Sequence, residues 1–145
     1  TPQWLEPAVA VPEDGESFRL IGGKQAIHTH TQTANSEPLM AITKQYGLER
    51  VWMNAQRAEE LGISDGDTVE VSNEQHTGKV QVKVTQRINP DALYMPSHYG
   101  CSSKEEKTAY GVGLRQMDYV PFRIEPGYGG ICSQEAVVTV KKVGA

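Results

Sequence analysis

The run of residues best suited to chemistry is the segment 17–36, which contains no acidic side chain. It carries Lys24, His28 and His30 among several threonine, glutamine and asparagine residues. Hydroxyl, amide and main-chain N–H groups donate hydrogen bonds to an anion, whereas carboxylates would repel it. A glycine pair precedes Lys24 and would let the backbone approach a ligand closely. The segment therefore predicts an anion-binding loop, although an ordinary polar loop has a similar composition.

Two other arrangements of these side chains would support different chemistry. His28 and His30 would face the same way on an extended segment, so both imidazoles could reach one metal ion. Together with His98 they would form a cupin-like metal site, but the cupin pattern expects a glutamate three or four residues later, and Glu37 comes too late. Cys101 follows His98 closely and would be a nucleophile only with an orienting group that the sequence does not show.

The composition excludes several classes of protein. The chain has 145 residues, of which 14 are basic and 18 acidic, for a formal net charge of −4. This balance disfavours a nucleic-acid binder that relies on a broad basic surface. No window approaches the roughly 18–20 apolar residues of a membrane span. Two cysteines, Cys101 and Cys132, do not make a disulfide framework, and the length fits a single domain.

The sequence predicts that these residues are positioned by a mostly-β barrel of about six or seven short strands with two short helices. Residues 1–16 are proline-rich and predict an irregular lead-in or linker before a domain at 17–145. Alternating valines predict half-buried strands, and a glycine pair is expected to end the first. The predicted strands are 17–21, 49–53, 68–72, 79–87, 92–95 and 136–143, and the predicted helices are 37–46 and 55–61. Long loops at 24–36 and 97–118 would gather binding residues on one side.

Several motifs carry a more specific resemblance. They are Leu20-Ile21-Gly22-Gly23-Lys24, His28-Thr29-His30-Thr31-Gln32-Thr33-x-Asn35, the block from Val51 to Val71, Pro96-Ser97-His98-Tyr99-Gly100, and Gly111-x-Gly113. Together they resemble the C-terminal molybdopterin-guanine-dinucleotide binding domain of the dimethyl sulfoxide reductase family of molybdenum enzymes. The resemblance covers residues 17–143 and is closest to the thiosulfate and polysulfide reductase branch. It implies a double-psi β-barrel, a six-stranded closed barrel with two or three short helices.

The resemblance also implies a cofactor and the residues that contact it. The cofactor is molybdenum bis-molybdopterin guanine dinucleotide, and the implied contacts are Lys24, His28, Thr29, His30, Thr31, Thr33, Asn35, His98 and Tyr99. Arg115 and Gln116 stand where the family often has paired asparagines. The family's metal ligand and its iron–sulfur cysteines belong to an earlier part of the enzyme, so no catalytic residue and no metal ligand is expected in this chain.

The same resemblance implies that the chain is part of a larger enzyme. The chain would be a fragment of a molybdenum oxidoreductase of anaerobic respiration, without catalytic power of its own. Its expected partners are the remaining domains of the same subunit, an iron–sulfur electron-transfer subunit and a membrane anchor subunit, with no nucleic acid and no membrane span of its own. A periplasmic location is expected, or otherwise a cytoplasmic one. A free-standing metal-binding barrel and a separate small subunit of a molybdenum or tungsten enzyme stay open as alternatives, as does a substrate among thiosulfate, polysulfide and arsenate.

Overall fold

The closed β-barrel predicted from the sequence is confirmed in the computed structural model, which describes residues 1, 4, 6–30 and 32–144. Within these residues six strands and two α-helices are present, with a short 3₁₀ turn at Gln116–Asp118. In chain order they are β1 (Ser17–Gly23), α1 (Glu37–Tyr46), β2 (Val51–Asn54), α2 (Ala55–Glu60), β3 (Thr68–Ser72), β4 (Thr77–Thr85), β5 (Ala92–Pro96) and β6 (Ala136–Lys142). None of the helices described is long and apolar enough to cross a membrane.

The strand order around the barrel is β1-β5-β2-β4-β3-β6. Strand β1 runs parallel to β5 and β2 runs parallel to β4, while the remaining neighbours are antiparallel. Both parallel pairs join strands that are distant in sequence, so two crossing connections interlock across the barrel. This is the topology of a double-psi β-barrel, as expected.

The core follows from the alternation of apolar and polar residues along the strands, because successive side chains point to opposite faces. In β3, Val69 and Val71 are fully buried, while Glu70 between them is partly exposed. Leu20, Val82 and Leu93 are likewise fully buried and contribute to the same interior cluster. Closure of the sheet removes exposed strand edges, and the loops at the strand ends are left to carry function.

The glycine pair does not end the first strand, which corrects the sequence-based boundary. Gly22 and Gly23 continue β1 and pair with Met95 and Pro96 of β5. A Cβ atom on Gly22 would lie 1.7 Å from Oε1 of Gln116, so the close approach of a side chain accounts for this glycine. The other predicted boundaries differ from the observed ones by at most two residues, and those of α1 and β3 agree at both ends.

Strand β2 leads directly into α2 through an asparagine cap, as the sequence predicts. The Oδ1 atom of Asn54 accepts a hydrogen bond from the Gln56 N–H at 2.9 Å. The Nδ2 atom of Asn54 donates to the Ile88 carbonyl at 2.8 Å, and Asn54 itself is buried. One side chain thus satisfies a free N–H group of the helix and holds the connection between β4 and β5.

The described part of the lead-in contacts the barrel near the beginning of β1. Arg19 donates to the Val9 carbonyl, and Arg57 of α2 donates to the Gly15 carbonyl. The Arg57 guanidinium also lies 5.2 Å from the ring centroid of Phe18. The domain boundary at residue 16 stays a prediction.

Candidate functional site

A cleft of about 580 Å³ opens where β5 ends, between the loop that follows this strand and the segment around the 3₁₀ turn. The backbone turns sharply here, since Gly100 and Gly113 both adopt positive φ. The cleft brings together five residues that were predicted from the sequence to bind the cofactor, namely Asn35, His98, Tyr99, Arg115 and Gln116. Residues that are far apart in the chain therefore meet on one face of the barrel.

His28 fixes the predicted anion-binding loop to helix α1. Its side chain is 4% exposed, and its Nδ1 atom lies 3.0 Å from Oγ1 of Thr33. Its Nε2 atom lies 2.8 Å from Oγ1 of Thr43, a fully buried residue of α1. Burial lowers the pKa of His28 because desolvation penalises the charged imidazolium. The ring is therefore a neutral internal support for the loop.

The hydrogen bonds of His28 bear directly on the alternative metal site. Both ring nitrogens already have threonine hydroxyl partners, so neither is left to bind a cation. Across the described residues, no three histidine, cysteine, aspartate or glutamate side chains are grouped so that they would hold a metal ion. The structure thus gives no support to a cupin-like site made of His28, His30 and His98.

Tyr99 joins the loop after β5 to the same internal network. Its ring packs edge-on against His28 with 5.6 Å between centroids. Its hydroxyl lies 3.3 Å from both Oγ1 of Thr43 and Oε1 of Gln25. The amide of Gln25 in turn donates to the Leu48 carbonyl at 2.6 Å. Tyr99 is buried, so the structure places it among the groups that shape the site.

His98 lies at the centre of a cluster of basic groups. It is 7% exposed, and its ring centroid is 6.1 Å from that of His28. Burial lowers the pKa of His98 most, and the proximity of the basic groups His28, His30 and Lys24 lowers this pKa further, since each disfavours a second charge beside it. Lys24 and His30 are both exposed on the loop between β1 and α1. The arrangement favours an anion at this position.

The backbone of His98 is held in an uncommon conformation. Its φ is +88°, in the left-handed region that favours glycine. Such strain costs on the order of 1–3 kcal/mol and persists only where the surroundings enforce it. The buried contacts of Tyr99, the next residue, provide that enforcement. Strained residues of this kind cluster at ligand-binding sites, which agrees with the place of His98 in the cleft.

Arg115 and Gln116 are held in place by partners of their own. The guanidinium of Arg115 donates to Oδ1 of Asp118 from Nε at 2.8 Å and from Nη2 at 2.7 Å. Hydrogen bonding to this carboxylate raises the pKa of Arg115. The Nε2 atom of Gln116 donates to the Ser133 carbonyl at 3.1 Å, and its amide lies against Gly22. Each side chain is therefore oriented before any ligand arrives.

Gln134 holds the end of β1 and was missed by sequence reasoning. Its Oε1 atom accepts from the Gly22 N–H at 3.0 Å, and its Nε2 atom donates to the Gly22 carbonyl at 3.3 Å. Strand β6 begins at Ala136, so its backbone does not pair with Gly22. The two hydrogen bonds from the Gln134 side chain take the place of that pairing. Tyr94 adds a hydrogen bond from its hydroxyl to the Gly23 carbonyl at 3.0 Å. The backbone that leads to Lys24 is thus fixed on both sides.

The remaining predicted residues lie on the loop between β1 and α1. The Thr29 N–H donates to Oγ1 of Thr33 at 3.0 Å, which links two of them. Thr29 and Asn35 are exposed, and Thr33 is half-buried. Thr31 lies outside the described residues. The sequence did not reveal the contacts of Thr43 and Gln25 with this site, because their partners are distant in the chain. One signal was available for Thr43, which follows the buried Met40 on the inner face of α1.

The arrangement as a whole suits binding of an anionic ligand more than catalysis. His98, Arg115 and Gln116 line the cleft, while the buried side chains of His28 and Tyr99 are hydrogen-bonded to internal partners. Glu106 also lines the cleft and would accept hydrogen bonds from donor groups of a ligand. These observations favour an anionic ligand that also carries donor groups.

Comparison with known proteins agrees with the geometry. A model of the molydopterin dinucleotide binding domain family matches residues 18–118. The thiosulfate reductase molybdopterin-containing subunit PhsA of Salmonella typhimurium is 26% identical over 122 residues, which make up 84% of this chain and 16% of that protein. Acetylene hydratase from Pelobacter acetylenicus superposes with a TM-score of 0.69 at 12% identity, over 86% of this chain and 18% of that one. The likeness to acetylene hydratase shows the fold alone.

Two consequences follow from these comparisons. The chain spans only 16% and 18% of the lengths of these two proteins, so it corresponds to one domain of each. The family match covers most of the barrel and both loops that form the site. The resemblance indicated by the sequence motifs is thereby confirmed, and the chain belongs to the molydopterin dinucleotide binding domain family.

Proposed function

We propose that this chain is the cofactor-binding domain of a molybdenum oxidoreductase and that it binds bis-molybdopterin guanine dinucleotide with the cleft and the loop at 24–35. The observation that carries the proposal is the cleft lined by Asn35, His98, Arg115 and Gln116 in a member of a dinucleotide-binding family. Lys24 contributes positive charge, and residues 17–36 contain no carboxylate to oppose it. A diphosphate is the part of the dinucleotide that this environment fits.

The site also offers hydrogen-bond donors and an acceptor of the chemical types that such a cofactor requires. The Arg115 guanidinium keeps further N–H groups beyond those bonded to Asp118, and a planar guanidinium suits phosphate and carbonyl oxygens. Glu106 supplies an acceptor for the amino groups of a guanine or a pterin. When bound, the cofactor would supply the redox chemistry of molybdenum.

The chain's own residues would bind and orient the cofactor. Lys24 and His30 would meet the diphosphate, while Asn35, Arg115 and Gln116 would contact the cofactor along the cleft. His28, Thr43 and Tyr99 would keep the two loops at a fixed separation, since their polar atoms are engaged with one another. A preformed site of this kind avoids the entropy cost of ordering loops on binding.

The nature of the complete enzyme is a further part of the proposal. The name of the 26% identical relative motivates a reductase of thiosulfate, whose active centre would be completed by other domains of the same subunit. An iron–sulfur cluster in the remaining polypeptide, an electron-transfer subunit, a membrane anchor subunit and a periplasmic location would accompany such a respiratory role.

The test is an analysis of the complete polypeptide that carries this domain. We expect the purified protein to contain molybdenum and to release GMP on acid hydrolysis at twice the molar amount of molybdenum. Lys24→Met should lower the content of both, whereas Lys141→Met, on the exposed end of β6, should not. Protein without GMP but with stoichiometric zinc, nickel or iron would contradict the proposal and favour the metal-binding alternative.

A further inference from the structure

We propose that the hairpin at residues 121–132 is the surface on which the remaining domains of the same polypeptide dock beside the cofactor cleft. This proposal rests on the proposed function, because it takes the chain to be one domain of a larger enzyme. The structure describes all residues of this segment, which we term the apolar hairpin.

The apolar hairpin is ordered by its own polar groups. Ile124 and Ile131 form an antiparallel bridge, and the Cys132 N–H donates to the Arg123 carbonyl at 3.2 Å. At the tip, the Glu125 carboxylate accepts from the N–H groups of Gly127 and Tyr128, each at 2.6 Å. The turn is thus stabilised by hydrogen bonds within the hairpin, and its shape does not depend on burial of its side chains.

Despite this order, the hairpin presents large apolar side chains to solvent. Phe122 is 87% exposed and Tyr128 is fully exposed, while Ile131 and Ile124 are 62% and 49% exposed. Single exposed apolar residues are common on protein surfaces, but four on one ordered hairpin, two of them bridge partners, are a concentration of the kind that marks an interaction site. Burial of aromatic and aliphatic side chains is also what anchors interfaces.

The base of the hairpin is continuous with the candidate site. The Ser133 carbonyl, which directly follows the hairpin, accepts the hydrogen bond from Gln116. Gln134 then holds the Gly22 backbone that leads to Lys24. Met117, half-exposed in the cleft, extends the apolar surface toward the ligand. A structure that covers a cofactor in the cleft would therefore also meet the hairpin.

The charges of the hairpin indicate what kind of surface it fits. Arg123 forms an ion pair with Glu135 at 3.0 Å, and the Glu125 carboxylate is occupied by the turn. Both charged groups are therefore engaged locally, and the exposed tip offers mainly apolar contacts. The complementary surface should be apolar and depleted of charge. The matched region makes up only 16% of the relative PhsA, so most of that protein is further polypeptide.

Photo-crosslinking in the complete polypeptide tests the proposal. A benzophenone amino acid placed at Tyr128, and separately at Phe122, should cross-link to peptides of the same polypeptide that lie outside this chain. The matched control carries the same benzophenone group at Glu59, an exposed residue of α2. Helix α2 contacts the backbone just before β1, whereas the hairpin is followed by residues that contact the end of β1. We expect no such cross-links from the control position.

Each outcome of this experiment decides between docking and the alternatives. Cross-links only to a second copy, cross-links only to a different protein, or no cross-links at the hairpin would overturn the proposal. Molybdenum and GMP are measured on the same sample. Bound cofactor without cross-links would reject the docking surface alone, and cross-links without cofactor would reject the proposed function alone.

Discussion

Replacement of Gly22 by alanine should destabilise the barrel through one identifiable contact. The new Cβ atom would lie 1.7 Å from Oε1 and 2.2 Å from Cδ of Gln116, which is far inside van der Waals contact. The backbone at Gly22 pairs as an ordinary strand and its φ is not positive, so alanine itself is tolerated there. The cost must therefore come from displacement of the Gln116 amide.

The magnitude follows from what that displacement breaks. Loss of the hydrogen bond from Gln116 to the Ser133 carbonyl would cost about 0.5–1.5 kcal/mol. Overpacking of a fitted site costs typically about 1–3 kcal/mol. Since Gln116 is partly exposed and able to move into the cleft, we expect a loss of about 1–2 kcal/mol in the free energy of unfolding for Gly22→Ala.

Urea unfolding of four proteins tests this reasoning as a double-mutant cycle. Gly22→Ala is measured in the native background and in a Gln116→Ala background, where the clashing amide is gone. The two substitutions should be coupled by about 1 kcal/mol, as is usual for residues in contact. Gly130→Ala is the matched control, because no atom lies within 4 Å of its Cβ position and its φ is also not positive. An equal cost of Gly22→Ala in both backgrounds would refute the proposed contact.

Four further substitutions and one pH titration test the buried contacts and one exposed side chain. Because burial lowers the pKa of His28, the unfolded chain binds a proton more readily below pH about 6.5, so stability should fall as the pH drops through that value. His28→Gln should flatten this dependence in thermal melts. Thr43→Val should cost about 1–3 kcal/mol in urea unfolding, since it leaves a buried imidazole nitrogen without its partner. Asn54→Ala should cost about 1–2 kcal/mol through loss of the α2 cap. Phe122→Ser should leave the melting temperature unchanged, because that side chain is 87% exposed.

The strands were predictable because their signal is local. Alternating valines place one face of β3 and β4 in the core, and this alternation is visible in any window of a few residues. The order of strands in the barrel is not local, because β1 pairs with β5 and β6 through contacts between distant residues. The barrel topology was therefore reached through the motif resemblance and not through the strand pattern.

The residues of the candidate site also divide into those with a local signal in the sequence and those whose role depends on the fold. Lys24 and its acid-free neighbourhood were visible in the composition, whereas the meeting of His28 with His98 depends on the fold. Gln134 escaped notice because a glutamine that hydrogen-bonds a distant backbone has no sequence signature. The glycine pair was misjudged for a related reason, since a glycine in a strand signals either an end or a close approach, and only the structure shows the Gln116 amide beside Gly22.

Binding of a guanine nucleotide diphosphate tests the central claim most directly. In ¹H–¹⁵N spectra of the 145-residue chain, millimolar GDP should shift the amide signals of Lys24, of the loop at 28–35 and of the cleft segments 97–101 and 114–117. Guanosine, which lacks the diphosphate, should leave the Lys24 signal in place. Absence of any shift in these segments, or shifts confined to α2 at the opposite end of β1, would contradict the account.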